Sequence, residues 1–368
     1  LLSRRQRQMC IRDSDKLYLI EEVKWRNNYD GNNTLAAAYA SVNIPFGKFN
    51  IYAGVRFEHD RMELVSNTQD HQKSPTSTYY TFNDFFPSVN ATYRLSDKQQ
   101  LRLAYGKSVN RPEFREVSSS VFYDFDLSGN IQGNPNLTAC YVHNVDLRYE
   151  LYPSKSELVS VALFYKNFQN PIEWTYTVAG GTDPIYSYKN AKGAYSYGVE
   201  LDVKKSLDFI GVPDLSLVFN GALIKSKVNF DKGDQEKNRP MQGQSPYIIN
   251  TGLFYQNSRI GLSAALLYNR IGKRIVGVGR SMGSVDDNVR IPDSYEMPRN
   301  AVDINLSKKI GSHFELKLSV KDLLGESVVF KQFEDGIRLN NGTVKNAEEV
   351  TRCYKPGRNY SLSVTYNF

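Results

Sequence analysis

Cysteine is scarce in this sequence: Cys10, Cys140 and Cys353 are the only three among 368 residues. Three widely spaced cysteines exclude a disulfide scaffold and a multi-cysteine metal cluster. A Cys140–Cys353 bridge is conceivable in an oxidising compartment, but two unpaired thiols are the favoured reading. Histidine is equally rare, and His59, His71, His143 and His313 show no HxxxH or HExxH spacing. No metal site follows. There is no GxSxG, no P-loop and no Gly-rich dinucleotide turn after a strand, so no catalytic residue and no cofactor is assigned. No apolar run approaches the ~18 residues that mark a membrane helix. Membrane β-barrels stay open, because their alternating strands escape a hydropathy window. The net charge of +7 is mild for this length. No basic run tracks a nucleic-acid backbone, so nucleic acid is not an expected partner.

What the chain does have is aromatic and β-branched residues throughout, with 25 Tyr and 19 Phe, which excludes disorder. Residues 1–14 stand apart. They lack alternation, carry four Arg against one Asp, and read as a foreign leader fused to an incomplete chain that begins at Leu. Residues 15–368 form the unit considered for the fold.

From Asp15 onward one pattern repeats. Tyr360, Leu362, Val364, Tyr366 and Phe368 share a face. So do Tyr195, Tyr197, Val199, Leu201 and Val203, with Ser196, Gly198, Glu200, Asp202 and Lys204 opposite. Period two over nine or more residues predicts long, half-buried strands. Fourteen are expected, at about 16–26, 34–44, 49–59, 86–95, 100–109, 139–151, 157–169, 191–206, 214–229, 246–256, 259–270, 298–309, 314–324 and 358–368. No Pro is expected in the middle of one. Short connections (Pro45–Lys48, Ser96–Gln99, Pro153–Ser156, Asp208–Pro213, Gln256–Arg259, Ile310–His313) alternate with long ones. The long ones are Ser66–Thr81, Asn110–Thr138, Asn170–Asn190, Phe230–Gln244, Gly277–Glu296 and Gly325–Lys355. Turns on one side and loops on the other mark an outer-membrane barrel. The fold class is all-β, an antiparallel transmembrane β-barrel facing outer-membrane lipid. A closed barrel satisfies every backbone polar group in hydrocarbon, and an open sheet does not. Trp25, Tyr149, Tyr152, Tyr165, Trp174, Tyr255 and Tyr268 are candidate girdle residues at the membrane boundary.

Two passages resemble a known family. Tyr105-Gly-Lys-Ser-Val-Asn-Arg-Pro-Glu-Phe-Arg115, with Phe122-Tyr-Asp-Phe-Asp126 and Gly133-Asn-Pro-Asn-Leu137, is similar to the mid-barrel segment of TonB-dependent outer-membrane receptors, especially the Bacteroidetes kind. The last strand, with Tyr366 and Phe368, resembles the terminal signal read by the barrel assembly machinery. Pro298–Asp303 and Lys321–Gly325 also look like that family's closing strands. The resemblance implies the C-terminal portion of a plugged barrel of about 22 strands. It further implies a Gram-negative cell outer membrane and import of a scarce small nutrient powered by the TonB complex. The nutrient would be a ferric siderophore, a cobalamin-like compound, an oligosaccharide or a peptide. The plug domain and the TonB contact would lie outside this chain.

Candidate ligand contacts are Arg111, Arg115, Tyr123, Asp124, Asp126, Phe333 and Arg338, all in or beside long loops. For Arg111 a structural salt bridge at the rim carries more weight. For Tyr123–Asp126, a loop strand covering the mouth does. Arg102, Asp146, Arg148, Glu200, Asp202 and Asp303 fall on the polar face, where mixed signs suit contacts with a plug rather than an ion-selective ring. A passive porin is the alternative function; a barrel enzyme or an adhesin weighs less.

Overall fold

A computed structural model describes residues 6–11, 17–22, 24–67, 69, 72–125, 129–177, 185–212, 214–231, 234, 236–281, 290–338 and 344–368. Its main body is one antiparallel sheet of thirteen strands, each hydrogen-bonded to the wall strands next to it in sequence. They are β1 (Tyr29–Phe46), β2 (Phe49–Asn67), β3 (Pro75–Ser96), β4 (Gln99–Asn110), β5 (Cys140–Leu151), β6 (Leu158–Gln169) and β7 (Gly193–Ser206). They continue with β8 (Leu215–Asn229), β9 (Tyr247–Asn257), β10 (Leu262–Ile271), β11 (Asn300–Ile310), β12 (Phe314–Lys321) and β13 (Asn359–Tyr366). β1 and β13 are the two edges, so the sheet does not close on itself. The thirteen answer to the second through fourteenth expected strands. The first, 16–26, does not join the wall. Leu17–Glu22 pairs with Gln6–Ile11 in a separate two-stranded sheet, and Trp25–Asn27 turns as a single 3-10 helix.

Alternation sets the two faces. Register places Leu103, Leu147, Leu163, Val199 and Leu223 directly opposite one another across β4 to β8. All five are more than a third exposed, although they are the most apolar positions of the wall. A contiguous exposed aliphatic belt of this extent requires a nonaqueous neighbour. The other face carries a polar row in equally direct register: Gln100, Glu150, Ser160, Asp202, Asn220, Asn250 and Asn269. Asn220 donates to Asp202 at 2.6 Å, and Asn269 to Asn250 at 2.6 Å. The long loops fold onto this second, inner face. Beneath them Ser226 and Val228 are buried, while Lys225 stays exposed.

Two expectations fail here, for physical reasons. The connection expected at Ser66–Thr81 is mostly strand, because β2 runs to Asn67 and β3 starts at Pro75. The upper part of β2 alternates against protein, burying Met62 and Leu64 under the loops. Pro87 lies inside β3, opposite Val55 of β2. It is tolerated because pairing of β3 with β4 begins only at Ser88, so its missing N–H faces no wall partner.

Candidate functional site: a loop roof over a polar lumen

The long loops hold strands of their own. Val121–Asp124, Gly129–Gln132, Ile185–Asn190 and Ile172–Thr177 make one four-stranded sheet. Arg274–Gly277, Ser294–Glu296, Val328–Arg338 and Val344–Tyr354 make another. The first is seated on β2. Val117, Ile131, Leu137 and Tyr188 bury with Met62 and Leu64, and Trp174 and Tyr186 pack against the group. Trp174 therefore belongs to the roof rather than to a membrane girdle. With Tyr186 and Tyr295 it also flanks Ile275 and Val278, which joins the two loop sheets.

Gly133 explains the glycine of the Gly133–Leu137 passage. A Cβ there would lie 2.2 Å from Ser118 O and 2.7 Å from both Arg115 O and Glu116 O. Only glycine lets the chain pass so close to the one-turn helix Phe114–Val117. Asn134 then donates to Tyr188 O at 2.9 Å, and Tyr80 donates to Pro135 O at 2.7 Å. That passage locks the roof to the wall.

Above Pro87 the wall splits between β3 and β4, and Arg111 spans the split. Its guanidinium reaches Glu58 at 2.8 Å, Asp60 at 3.3 Å and Asp84 at 2.8 Å, and lies over the rings of Phe82 and Phe86. Tyr141 of β5 donates to Asp84 at 2.7 Å. One partly buried cation shared by three carboxylates fixes the relative height of β2, β3 and the chain leaving β4.

The middle of the roof is held by charge. Arg239 donates to Glu173 at 2.8 Å, with both side chains over nine-tenths buried. Burial pushes the Glu173 carboxyl above its ordinary range, against the pull of Arg239. Lys189 bridges Asp234 at 2.8 Å and Glu236 at 3.1 Å. Burial alone would raise Glu236, but hydrogen bonds from Thr175 and Lys189 outweigh it and hold the carboxyl below its usual value. None of these residues stood out in the sequence. The available signal was the alternation of Ile172, Trp174 and Tyr176 inside a presumed loop.

Other expected site residues are dispersed. Arg115 stacks on Phe122 at 3.3 Å, and Tyr123 meets Phe125 edge-on at 5.1 Å. Asp124 ends the first strand of the roof. Asp126 and the side chain of Arg338 lie outside the described residues. Phe333 meets Tyr295 at 5.7 Å in the second loop sheet, and Lys273 sits over both rings. The Arg111 cluster, the Tyr123 strand and the Phe333 strand are three separate places on one roof. Arg102, Arg148 and Glu200 lie in one register row of the inner face, with Asp146, Asp202 and Asp303 on the same face. Arg102 pairs with Glu150 at 3.1 Å, and Arg148 reaches Glu200 at 3.5 Å and Asp202 at 3.4 Å. Asp303 accepts the backbone N–H of Asp322 at 2.8 Å. Asp146 and Glu200 line a cavity of ≈ 560 Å³ with Phe164, Lys166 and the descending segment 241–244. At the turn end, Tyr366 packs on Phe314 at 4.9 Å and meets Phe368 edge-on at 5.1 Å. Cys140 and Cys353 are both free.

A wall with an apolar outside, a polar inside and a loop roof is matched by a family profile, "TonB dependent receptor-like, beta-barrel", over residues 11–323. The chain belongs to this TonB-dependent receptor family. Solved structures agree in fold. The ferric-catecholate import receptor Fiu of E. coli K12 superposes with a TM-score of 0.63 at 16% identity, covering 95% of this chain and 46% of that one. The ferric yersiniabactin uptake receptor FyuA of Yersinia pestis gives 0.58 at 17%, covering 92% and 46%. The siderophore receptor PirA of Acinetobacter baumannii gives 0.55 at 14%, covering 97% and 56%. The chain thus spans about half the length of the solved receptors it matches. A sequence comparison with curated proteins gives no match.

Proposed function

We propose that this chain forms the wall and loop roof of a Gram-negative outer-membrane receptor that captures a scarce nutrient and passes it inward with energy from the TonB complex. The observation that carries the reading is the roof itself: two loop sheets packed on each other, the first of them seated on β2, above an inner face lined with charge. A passive pore has no need of so much buried structure across its mouth. Ferric siderophores are the favoured cargo, because the solved receptors of like fold are described as importing or binding them.

Tyr123, Asp124 and Phe333, with Arg115, Asp126 and Arg338, are the proposed ligand contacts. Arg111 is proposed instead as the anchor at the root of the roof. Arg102, Asp146, Arg148, Glu200, Asp202 and Asp303 are proposed to face a plug domain. The test uses cells carrying the full-length receptor and radiolabelled ferric siderophores. Expected are TonB-dependent uptake of one siderophore class and surface binding weakened about tenfold by the pair Tyr123→Ala and Phe333→Ala, the loss of two aromatic contacts. Uptake that persists without TonB would overturn the coupled reading.

A further inference from the structure

Beneath the roof, the cavity of ≈ 560 Å³ that Asp146 and Glu200 line has a floor made by one register row. Asp146, Phe164, Gly198 and Ile224 lie directly opposite one another across β5 to β8. A Cβ at Gly198 would come within 2.8 Å of the Phe164 ring, so glycine is what lets that ring lie along the wall. Lys166 and Ser196 stand one row toward the loops, and Glu200 one row toward the turns. Phe168 and Met241 flank the loop end, packed against Val228 and Phe230.

The segment 241–244 is pinned from both sides. Met241 N donates to Ser226 Oγ at 3.1 Å, and Gly243, at a φ of 77°, donates its N–H to Ile275 O at 2.8 Å. Gln242 Nε2 donates to Val276 O at 2.9 Å. Val276 O can only accept, so the amide nitrogen is the end held there and Oε1 is left as an acceptor. That oxygen is buried and has no hydrogen-bond partner among the described residues. Asp146 likewise makes no hydrogen bond or ion pair with a described residue, and Glu200 meets Arg148 only at 3.5 Å. Against these acceptors the described lining holds one cation, Lys166.

We propose that this cavity binds a small molecule through a cationic nitrogen group, a guanidinium or a primary ammonium. Two carboxylates and one orphaned amide oxygen outnumber one ammonium, and the oxygen requires an N–H donor. Phe164 and Phe168 add aromatic rings, which attract a cation. An anion would meet two carboxylates, and a neutral ligand would leave Asp146 without a counter-charge. The volume falls within the range of about 300–1,000 Å³ typical of small-ligand pockets, and a lone metal ion would leave most of it empty. A plug facing the same residues would complete the chamber between wall and roof. The proposal rests on the receptor reading above and narrows its cargo to compounds that carry such a nitrogen arm.

The test is titration of the full receptor in uncharged detergent, followed by ligand-observed NMR, with benzylguanidinium, its neutral isostere benzylurea and the anion phenylacetate as probes. The cation is expected to bind at least about tenfold tighter than benzylurea, the gain from a charge-assisted hydrogen bond to a carboxylate. Asp146→Asn removes a carboxylate that holds no described partner and should cancel most of that preference. Asp146→Glu should keep it, which separates loss of the site from loss of folding. Phe164→Leu should weaken the cation about threefold. Lys166→Gln removes a like charge and should tighten it about twofold. Equal binding of cation and isostere, or an unchanged preference in Asp146→Asn, overturns the proposal. Weaker cation binding in Lys166→Gln also overturns it, because the ligand would then be a zwitterion that uses both charges. Binding of no probe by the full receptor overturns it too, and carbodiimide coupling of Asp146 to a plug lysine would then assign the acid to the plug. Uptake is read separately in cells, so failure here leaves the TonB-coupled reading standing.

Discussion

At the scale of single residues, the roof depends on buried charge whose two halves respond oppositely to acid. Glu173 has its pKa raised, so whatever stability its protonated form contributes is lost as pH rises through that value. Glu236 has its pKa lowered, so its contribution is present at neutral pH and is lost as pH falls through a value below 4.5. Hydrogen exchange of residues 172–177 and 236–245 should therefore quicken on acidification below the usual glutamate range, and Glu236→Gln should abolish that limb. Arg239→Met leaves Glu173 buried without its cation. Removing one partner of such a pair costs about 3–5 kcal/mol, so the same segments should open at neutral pH. Unchanged exchange in Arg239→Met would show that the pair does not hold the roof. These residues were illegible in the sequence for a plain reason. Glu173 and Arg239 lie far apart along the chain, and each resembles an ordinary surface charge until the fold buries both.

At the scale of elements, strict alternation such as that of β7 and β13 stated both the strand and its two faces. Period alone grouped the polar side chains of β4 to β8 on one face, and the strand register groups them the same way. Legibility failed where the neighbour changed. The upper part of β2 still alternates, but its buried partners are Val117, Ile131 and Tyr188 from distant loops. The loop strands Ile172–Thr177 and Ile185–Asn190 are too short to stand out from connecting segments. Pro87 looked like a strand start because nothing in one strand reveals where pairing with the next begins. Leu64→Ala tests the seating of the roof on β2. A side chain 2% exposed should cost about 2–5 kcal/mol when truncated. Proteolysis in residues 112–137 should rise while the thermal transition of the wall stays in place. A fall in the wall transition with the roof still protected would contradict this placement.

At the scale of the whole molecule, one sheet separates two solvents. Val199 lies in the middle of the aliphatic row, and Val199→Arg should cost about 2–4 kcal/mol of folding free energy in lipid vesicles. Ala222→Arg, opposite Glu200 on the inner face, should cost far less. Equal costs would mean that lipid does not touch the belt.

The pairing pattern also dictates an order of events. Every wall strand bonds to its sequence neighbours among the wall strands, so each added hairpin closes a short loop or one long loop at a time. The first loop sheet cannot form that way. Its parallel pairing of Ile185–Tyr186 with Asn130–Ile131 joins two segments separated by β5 and β6, and its core needs β2 as well. Such non-local contacts are reached only after intervening chain is fixed, because loop closure must come first. The pairing pattern therefore predicts a wall built progressively and a roof that consolidates after the strands it joins, which pulse-labelling hydrogen exchange during refolding would check. The roof's opening can then proceed without reversing any step of barrel assembly.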